Sequence, residues 1–265
     1  MEEDGYILEP LGTLANYMGD NRLVINDDKT HLLVMGSAKF SEKRKMVRID
    51  TGNVIVKPRE TEKLLGLNIH QSLKWKEHLL TSDKSLLKIL VTRLAALKKV
   101  AVSAPFKTRL MVANACFLSV ISYMITVWGG TELYLIRAIQ VMQNKAARCV
   151  TKRSWFSPTR LLLLEYNWLS IKQLIFYHTV LQVWKVRVYK TPGYIASRIR
   201  PAITRSVADG NLRVPNVQKS ISGKSFMVRS AVMWNSVPAE IRNTISFESF
   251  KRKLKQWTRT NVDIE

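Results

Sequence analysis

The sequence predicts an α+β chain: a small region of antiparallel β-hairpins followed by a mainly α-helical remainder. Three observations predict it. Short apolar runs separated by polar turn residues recur between residues 23 and 69, the pattern of brief strands. From Trp75 onward the apolar spacing lengthens to the helical period of about 3.6 residues. The charge balance changes at nearly the same point: residues 1–83 carry 12 Lys/Arg and 13 Asp/Glu, whereas residues 84–208 carry 20 Lys/Arg against only Glu132 and Glu165.

Taken in order, Leu8, Leu11, Leu14, Ala15 and Met18 mark one face of a first helix near 8–18. A hairpin is expected over 23–36, with apolar strands on either side of Asn26-Asp27-Asp28-Lys29. A second is expected at 46–56, where Met46-Val47-Arg48-Ile49 and Val54-Ile55-Val56 flank Asp50-Thr51-Gly52-Asn53. A strand from Leu64 to Ile69, broken by Gly66, closes this region. A helix or helix pair then runs from Trp75 to Val100 on Leu79, Leu80, Leu86, Leu87, Leu90, Leu94 and Leu97. Pro105 suits the first turn of the next helix, 105–127, which Gly129-Gly130 terminates. Further helices are expected over 132–150, from Ser157-Pro158-Thr159 to Glu165, and from a Ser170 cap to Pro192. Residues 191–223, with three prolines and three glycines, read as a linker. Two helices near 224–236 and 246–259, the last capped by Ser246, complete the chain. The expected divisions are 1–72, 73–190, 191–223 and 224–265.

A chain of 265 residues with 46% hydrophobic residues has enough apolar surface for a core. The net charge of +22 and isoelectric point near 10.2 draw polyanions, nucleic acid first. Because residues 84–208 mix so few acids among their bases, they form a distinct polyanion-binding block rather than an ordinary solvated face. Cys116 and Cys149 are isolated, without the spacing of a zinc site or a disulfide framework. Free thiols and an acidic start, MEEDGYILEP, without a basic n-region point to an intracellular protein of nucleus or cytoplasm. The uncharged run Leu110–Trp128 is long enough to span roughly 28 Å as a helix. Ala115, Ser119, Ser122 and Thr126 nevertheless form a small, polar stripe along it, which favours a buried helix packed closely on its neighbours over a bilayer span.

Few residues carry chemistry. Asp27-Asp28 lies where a turn is expected, and Asn and Asp tolerate turn geometry. Two-metal phosphoryl transfer needs carboxylates converging from neighbouring strands, and no preceding strand supplies a partner for this pair. Trp168 and Trp184 stand at helical spacing among apolar residues, which favours the core. Trp155, Trp168 and Trp184 also have the ring surface to stack on bases.

Two early patterns identify a family resemblance. Leu23, Asn26, Lys29 and Thr30 fit L-x-x-N-x-x-K-T, and Leu65, Gly66, Ile69, Leu73, Trp75 and His78 fit L-G-x-x-I-x-x-x-L-x-W-x-x-H. In this order they resemble the last palm segments of a reverse transcriptase of the non-LTR (LINE-like) retrotransposon kind. The resemblance continues through YMITVWG at 123–129, QNKAAR at 143–148, Pro158-Thr159, Leu164-Glu165, Trp168-Leu169 and Pro192 with Tyr194-Ile195. It ends in SFMVRSAVMWNSVPAEIRNTISFESFKRKLKQW, which departs from the family pattern at Ser230, where alanine is commoner.

The resemblance implies a palm remnant at 1–72, a helical thumb at 73–190 and a helical C-terminal tail. It implies a C-terminal fragment of an RNA-directed DNA polymerase whose catalytic aspartates lie upstream of the matched region. The intact family uses Mg²⁺; no cofactor or metal site is expected within this chain. Lys29 matches a lysine near the incoming nucleotide's phosphates, as a phosphate contact or general acid. Leu65, Gly66, Leu67 and Asn68 match the primer grip. A thumb lies along the template–primer backbone, a role that suits Lys84, Lys88, Arg93, Lys98, Lys99, Lys107, Arg109, Lys145, Arg148, Lys152 and Arg153. RNA, DNA or an RNA–DNA hybrid is the expected partner, with no membrane. The rival readings are a retrotransposon-derived protein-interaction scaffold and a decayed gene product.

Overall fold

The computed structural model describes residues 5–24, 26–36, 41–50, 54–154, 156–202, 210–217 and 223–262. The chain divides into two compact units, Met1–Thr81 and Ser82–Glu265, so the boundary falls nine residues beyond the expected one.

In the first unit α1 spans Gly5–Asp20. Leu14, on the face expected to be apolar, is half exposed; the side chains of Leu8, Leu11 and Ala15 lie outside those described. Among the described residues of 23–36 the expected hairpin does not form. Asp27–Lys29 is a single 3-10 turn, closed by Asn26. Its side-chain oxygen accepts from the Lys29 N–H at 3.0 Å and its carbonyl accepts from the Thr30 hydroxyl at 2.9 Å. Such local side-chain bonding competes with a strand ladder. The following segment pairs further along: Leu32 bridges Pro58 in parallel, and the Arg59 N–H donates to the Leu32 carbonyl at 2.9 Å.

Met46, expected in a strand, instead ends α2, Ser41–Met46, whose Lys43, Arg44 and Lys45 sit at the negative end of the helix dipole. The second hairpin is present but short. Strands β1 (Ile49–Asp50) and β2 (Ile55–Val56) are antiparallel, with Ile49 opposite Val56; its turn, 51–53, lies outside the described residues.

The expected strand 64–69 is a second antiparallel hairpin. Strand β3 (Thr61–Leu64) returns as β4 (Leu67–His70), with Leu64 opposite Leu67. Leu65 and Gly66 both take positive φ, 49° and 83°, the signature of a two-residue I′ turn. Thr61-Glu62-Lys63 is too polar to announce the first strand, so Gly66 reads as a flaw within one strand when it is the corner between two. A π-helical turn, Glu77–Thr81, follows. Its His78 is buried and accepts from the Asn68 N–H at 3.4 Å, and Trp75 meets the His78 ring edge-on at 6.1 Å.

In the second unit α3 (Leu86–Ser103) buries Leu86, Leu90, Leu94 and Leu97 behind a Ser85 cap. The single helix expected over 105–127 is interrupted. Helix α4 (Phe106–Ala113) passes into a π-helical turn, Asn114–Leu118, then α5 (Ser119–Ser122), and breaks at Met124, whose φ is +51°, before α6 (Ile125–Trp128). The small stripe faces the other way from the expectation: Ala115 and Ser119 are exposed, while Phe117, Ile121, Ile125 and Trp128 are buried. The bulky side removes more apolar area from water and takes the core. Among the described residues no helix is long and apolar enough to cross a membrane. Gly129 and Gly130 permit close passage of backbone; a Cβ on Gly130 would stand 2.2 Å from the Lys224 carbonyl oxygen.

Helices α7 (Leu133–Thr151), α8 (Thr159–Glu165) and α9 (Ile171–Tyr189) follow where the sequence predicts them. Ser170 and Gln173 form a reciprocal capping box at the start of α9. After α10 (Gly193–Ala196) come α11 (Phe226–Ser236), α12 (Ala239–Arg242) and α13 (Phe247–Asn261), the last capped by Ser246. Helices α9, α11 and α13 share one core in which Trp184 stacks on Phe250 at 5.6 Å and Trp234 is fully buried.

Residues described within 191–223 are part of this unit rather than a linker. Leu212 is buried in the same core, and Asn235 grips its backbone twice: Leu212 N–H to Asn235 Oδ1 and Asn235 Nδ2 to the Leu212 carbonyl, both 2.8 Å. Prolines and glycines mark irregular backbone, but one leucine with both its polar backbone groups satisfied is enough to anchor it.

Candidate nucleic-acid interface

Helices α3 and α7 pack along each other and leave a groove of about 700 Å³. Part of its lining is apolar, from Val91, Leu94, Ala95, Val102 and Met142. Its rims are cationic: Lys98 from α3, Lys145 and Arg148 from α7, and Lys152 and Arg153 just beyond. No acidic residue lines it among the described residues. Five of the eleven cations expected to meet nucleic acid are therefore gathered around one concave surface.

Helix geometry explains the selection. Val91, Ala95, Lys98 and Val102 recur at steps of three and four and share one side of α3. Arg93 points away from that side, and Lys88 and Lys99 flank it, which leaves all three exposed but outside the groove. Lys84 and Lys107 are likewise exposed and do not line it. Lys88 also pairs with exposed Asp83 at 2.9 Å.

The rotation of α7 is fixed by Gln143, which is fully buried and donates to the Leu169 carbonyl at 2.8 Å. Lys152 ends that helix in a left-handed conformation and its ammonium donates to the Val102 carbonyl at 3.1 Å, tying the ends of α7 and α3 together. Arg153 meets Glu165 at 3.2 Å on the surface, a screened contact that a phosphate can replace. Cys149 also lines the groove. Burial pushes its thiol up, against the opposing pull of Lys98 and Arg109, so it stays protonated and unreactive at neutral pH.

Arg109 does not belong to the surface. Its side chain is buried, donating from Nε to the Val150 carbonyl at 2.6 Å and from Nη1 to the Ala104 carbonyl at 2.7 Å. Guanidinium donors satisfy the helix-end carbonyls that have no intrahelical partner, so this residue holds the scaffold instead of a ligand. Trp168 and Trp184 are core residues, each with its indole N–H satisfied, by Asn114 Oδ1 and by the Thr244 carbonyl. Trp155 lies outside the described residues.

The terminal pattern is structural too. Arg229 donates to the Thr126 carbonyl at 2.7 Å, Trp234 to the Gly210 carbonyl at 3.0 Å, and Arg242 to the Asn211 side chain. Ser230 is buried and donates to the Met227 carbonyl at 3.3 Å, a bond that the commoner alanine lacks.

In the first unit Lys29 is exposed at the end of its 3-10 turn. Of the residues matched to the primer grip, Leu65 and Gly66 form the exposed hairpin tip, Leu67 is buried beneath it, and Asn68 is held by His78. Among the described residues no group of three or more His, Cys, Asp or Glu is placed to hold a metal ion. The sequence reading does not single out Arg198, Arg200 and Arg213, which line one cavity; the alternation Arg-Ile-Arg at 198–200 is the signal. The chain matches no family model, no curated protein and no solved structure.

Proposed function

We propose that this chain is the C-terminal part of a non-LTR retrotransposon RNA-directed DNA polymerase, and that its helical unit holds template–primer nucleic acid by the phosphate backbone. The observation that carries the reading is the α3–α7 groove, where five cations meet without an acid among the described lining residues. The motifs that run in order through the chain support the same reading. Lysine and arginine on a rim neutralise phosphates and release condensed counterions, which gives affinity without sequence preference. In this reading polymerisation needs metal-binding carboxylates from outside the described residues.

Binding to an RNA–DNA hybrid across a salt series tests this. Neutralising about six phosphates gives a slope of log K against log salt near −5. Replacing Lys98, Lys145 and Lys152 together with Gln flattens that slope by between two and three units, at about 0.9 per phosphate. Replacing the exposed Lys43 and Lys45 of the first unit is the control; Lys39 lies outside the described residues. Equal losses from the two sets, or no loss from either, reject the groove.

The apolar part of the groove lining favours one other reading, a protein-interaction scaffold in which an acidic amphipathic helix lies between the rims. That partner survives high salt through its apolar face, whereas a phosphate backbone does not.

A further inference from the structure

Residues 198–202 and 210–216 carry a second cationic feature, separate from the α3–α7 groove. Pro201 bridges Leu212 in antiparallel fashion, and the flanking bonds run from the Arg213 N–H to the Arg200 carbonyl at 2.9 Å and from the Ala202 N–H to the Asn211 carbonyl at 3.0 Å. Arg200 and Arg213 therefore stand directly opposite each other on a two-stranded ribbon. Side chains alternate between the faces of such a ribbon. Leu212 points into the core, and the two arginines take the other face and are exposed. Arg198 joins them around one cavity of about 430 Å³, completed by Pro215, Asn216 and Met227.

Like charges directly opposite on paired strands repel, and a third guanidinium adds to the cost. No acidic residue lines the cavity among the described residues, and none of the three guanidiniums has an ion-pair or hydrogen-bond partner there. The ribbon is nonetheless fixed, because Asn235 holds the Leu212 backbone from behind at 2.8 Å on both sides. Three guanidinium groups around one cavity, unmatched among the described residues, suit the oxygens of a phosphate, which guanidinium groups bind in bidentate fashion. Pro215 and Met227 offer an apolar wall beside them, and Asn216 an amide.

We propose that Arg198, Arg200 and Arg213 form a nucleotide-phosphate site, with the sugar or base of the nucleotide lying against Pro215 and Met227. The cavity is within the size of small-ligand sites. The phosphate belongs either to a free nucleoside triphosphate or to the end of a strand. The site does not depend on the groove reading, and the ATP arm of its test separates the two.

Calorimetric titration of the full chain with ATP, and separately with a short 5′-phosphorylated oligothymidylate, tests the site. Saturable one-to-one binding of at least one probe is expected. The variant R200Q/R213Q should weaken it by about tenfold or more, while K98Q/K145Q in the groove leaves ATP affinity within about twofold. A loss for ATP names the free nucleotide as the source; a loss confined to the oligonucleotide names the strand end. No binding of either probe overturns the proposal. So does a loss no larger than that produced by R160Q/R252Q, two exposed arginines elsewhere on this unit. Thermal unfolding in phosphate-free buffer guards against misfolding. Relief of repulsion should leave R200Q/R213Q at least as stable as the parent and abolish the rise in Tm that the bound probe gives the parent. A clear fall in Tm without phosphate would make these arginines structural and overturn the site.

Discussion

The Arg109 guanidinium donates to the carbonyl of Val150, 41 residues away, at 2.6 Å. A second bond, to the Ala104 carbonyl at 2.7 Å, ties the end of α3 to the end of α7 through α4. Arg109 thus helps to hold the two helices that form the groove, whereas Lys98, Lys145, Arg148, Lys152 and Arg153 line it. Electrostatics alone does not distinguish these two kinds; burial does.

Arg109→Met should therefore unfold the second unit more readily rather than weaken nucleic-acid binding directly. It removes two charge-assisted bonds and leaves helix-end carbonyls unmatched, a loss on the order of 3 kcal/mol. Urea unfolding measures it. Under conditions where the variant is folded, its salt slope for hybrid binding should equal that of the parent.

His78 sets a pH limit on the first unit. Burial pushes its imidazole down from 6.5 to about 4, and its Nδ1 accepts from the Asn68 N–H, which requires that nitrogen to be unprotonated. Because the folded value lies below the unfolded one, the unfolded chain binds the proton first. The stabilisation is fully present above about pH 6.5 and is lost as the pH falls toward 4, by roughly 3 kcal/mol. Unfolding followed between pH 7 and 4 should show this decline, and His78→Gln should flatten it. An unchanged pH profile in the variant would rule His78 out.

Leu65 occupies the left-handed region, with φ of 49°, at the first position of an I′ turn and is 71% exposed. A non-glycine side chain there costs about 1 kcal/mol, and Asn is the residue such turns favour. Leu65→Asn should raise the stability of the hairpin by about that amount, read as slower amide exchange across Thr61–His70. A decrease would mean that the exposed leucine packs on something in solution.

How far the sequence foretold this molecule depends on how local the governing contact is. Ser170, Ser246, Pro158 and Gly129-Gly130 act within a turn or two of themselves, and each marks a helix end where it was expected. The Leu65-Gly66 corner was hidden because its first residue is wrong for its own conformation and Thr61-Glu62-Lys63 lacks an apolar pattern. Asn26 closed a turn that looked like a hairpin loop. Leu212 was concealed among prolines, because its burial depends on Asn235, and Arg109 resembled its neighbour Lys107 until Val150 was placed beside it. Of the cationic site, the residue types and the block were legible; the face of each helix that borders the groove was not.

A primer-extension assay on an RNA template should give no product from this chain with Mg²⁺ or Mn²⁺. Asp28 is exposed on a 3-10 turn, and no described residues assemble a metal site around it. Extension abolished by Asp27→Ala or Asp28→Ala would overturn the turn reading.

The sharpest separation between general basicity and a built interface comes from two residues five positions apart on α3. Lys98 lines the groove and Arg93 points away from it, although both are exposed and charged. If affinity followed net charge, Lys98→Gln and Arg93→Gln would weaken hybrid binding equally. If the groove holds the backbone, Lys98→Gln should flatten the salt slope by about 0.9 and Arg93→Gln should leave it unchanged. Each substitution removes one charge from a solvated position, so neither should move stability by more than about 0.5 kcal/mol. Competition binding at two salt concentrations reads the difference. Equal slopes would return the interface to a diffuse cationic surface, with the groove as an incidental gap between α3 and α7.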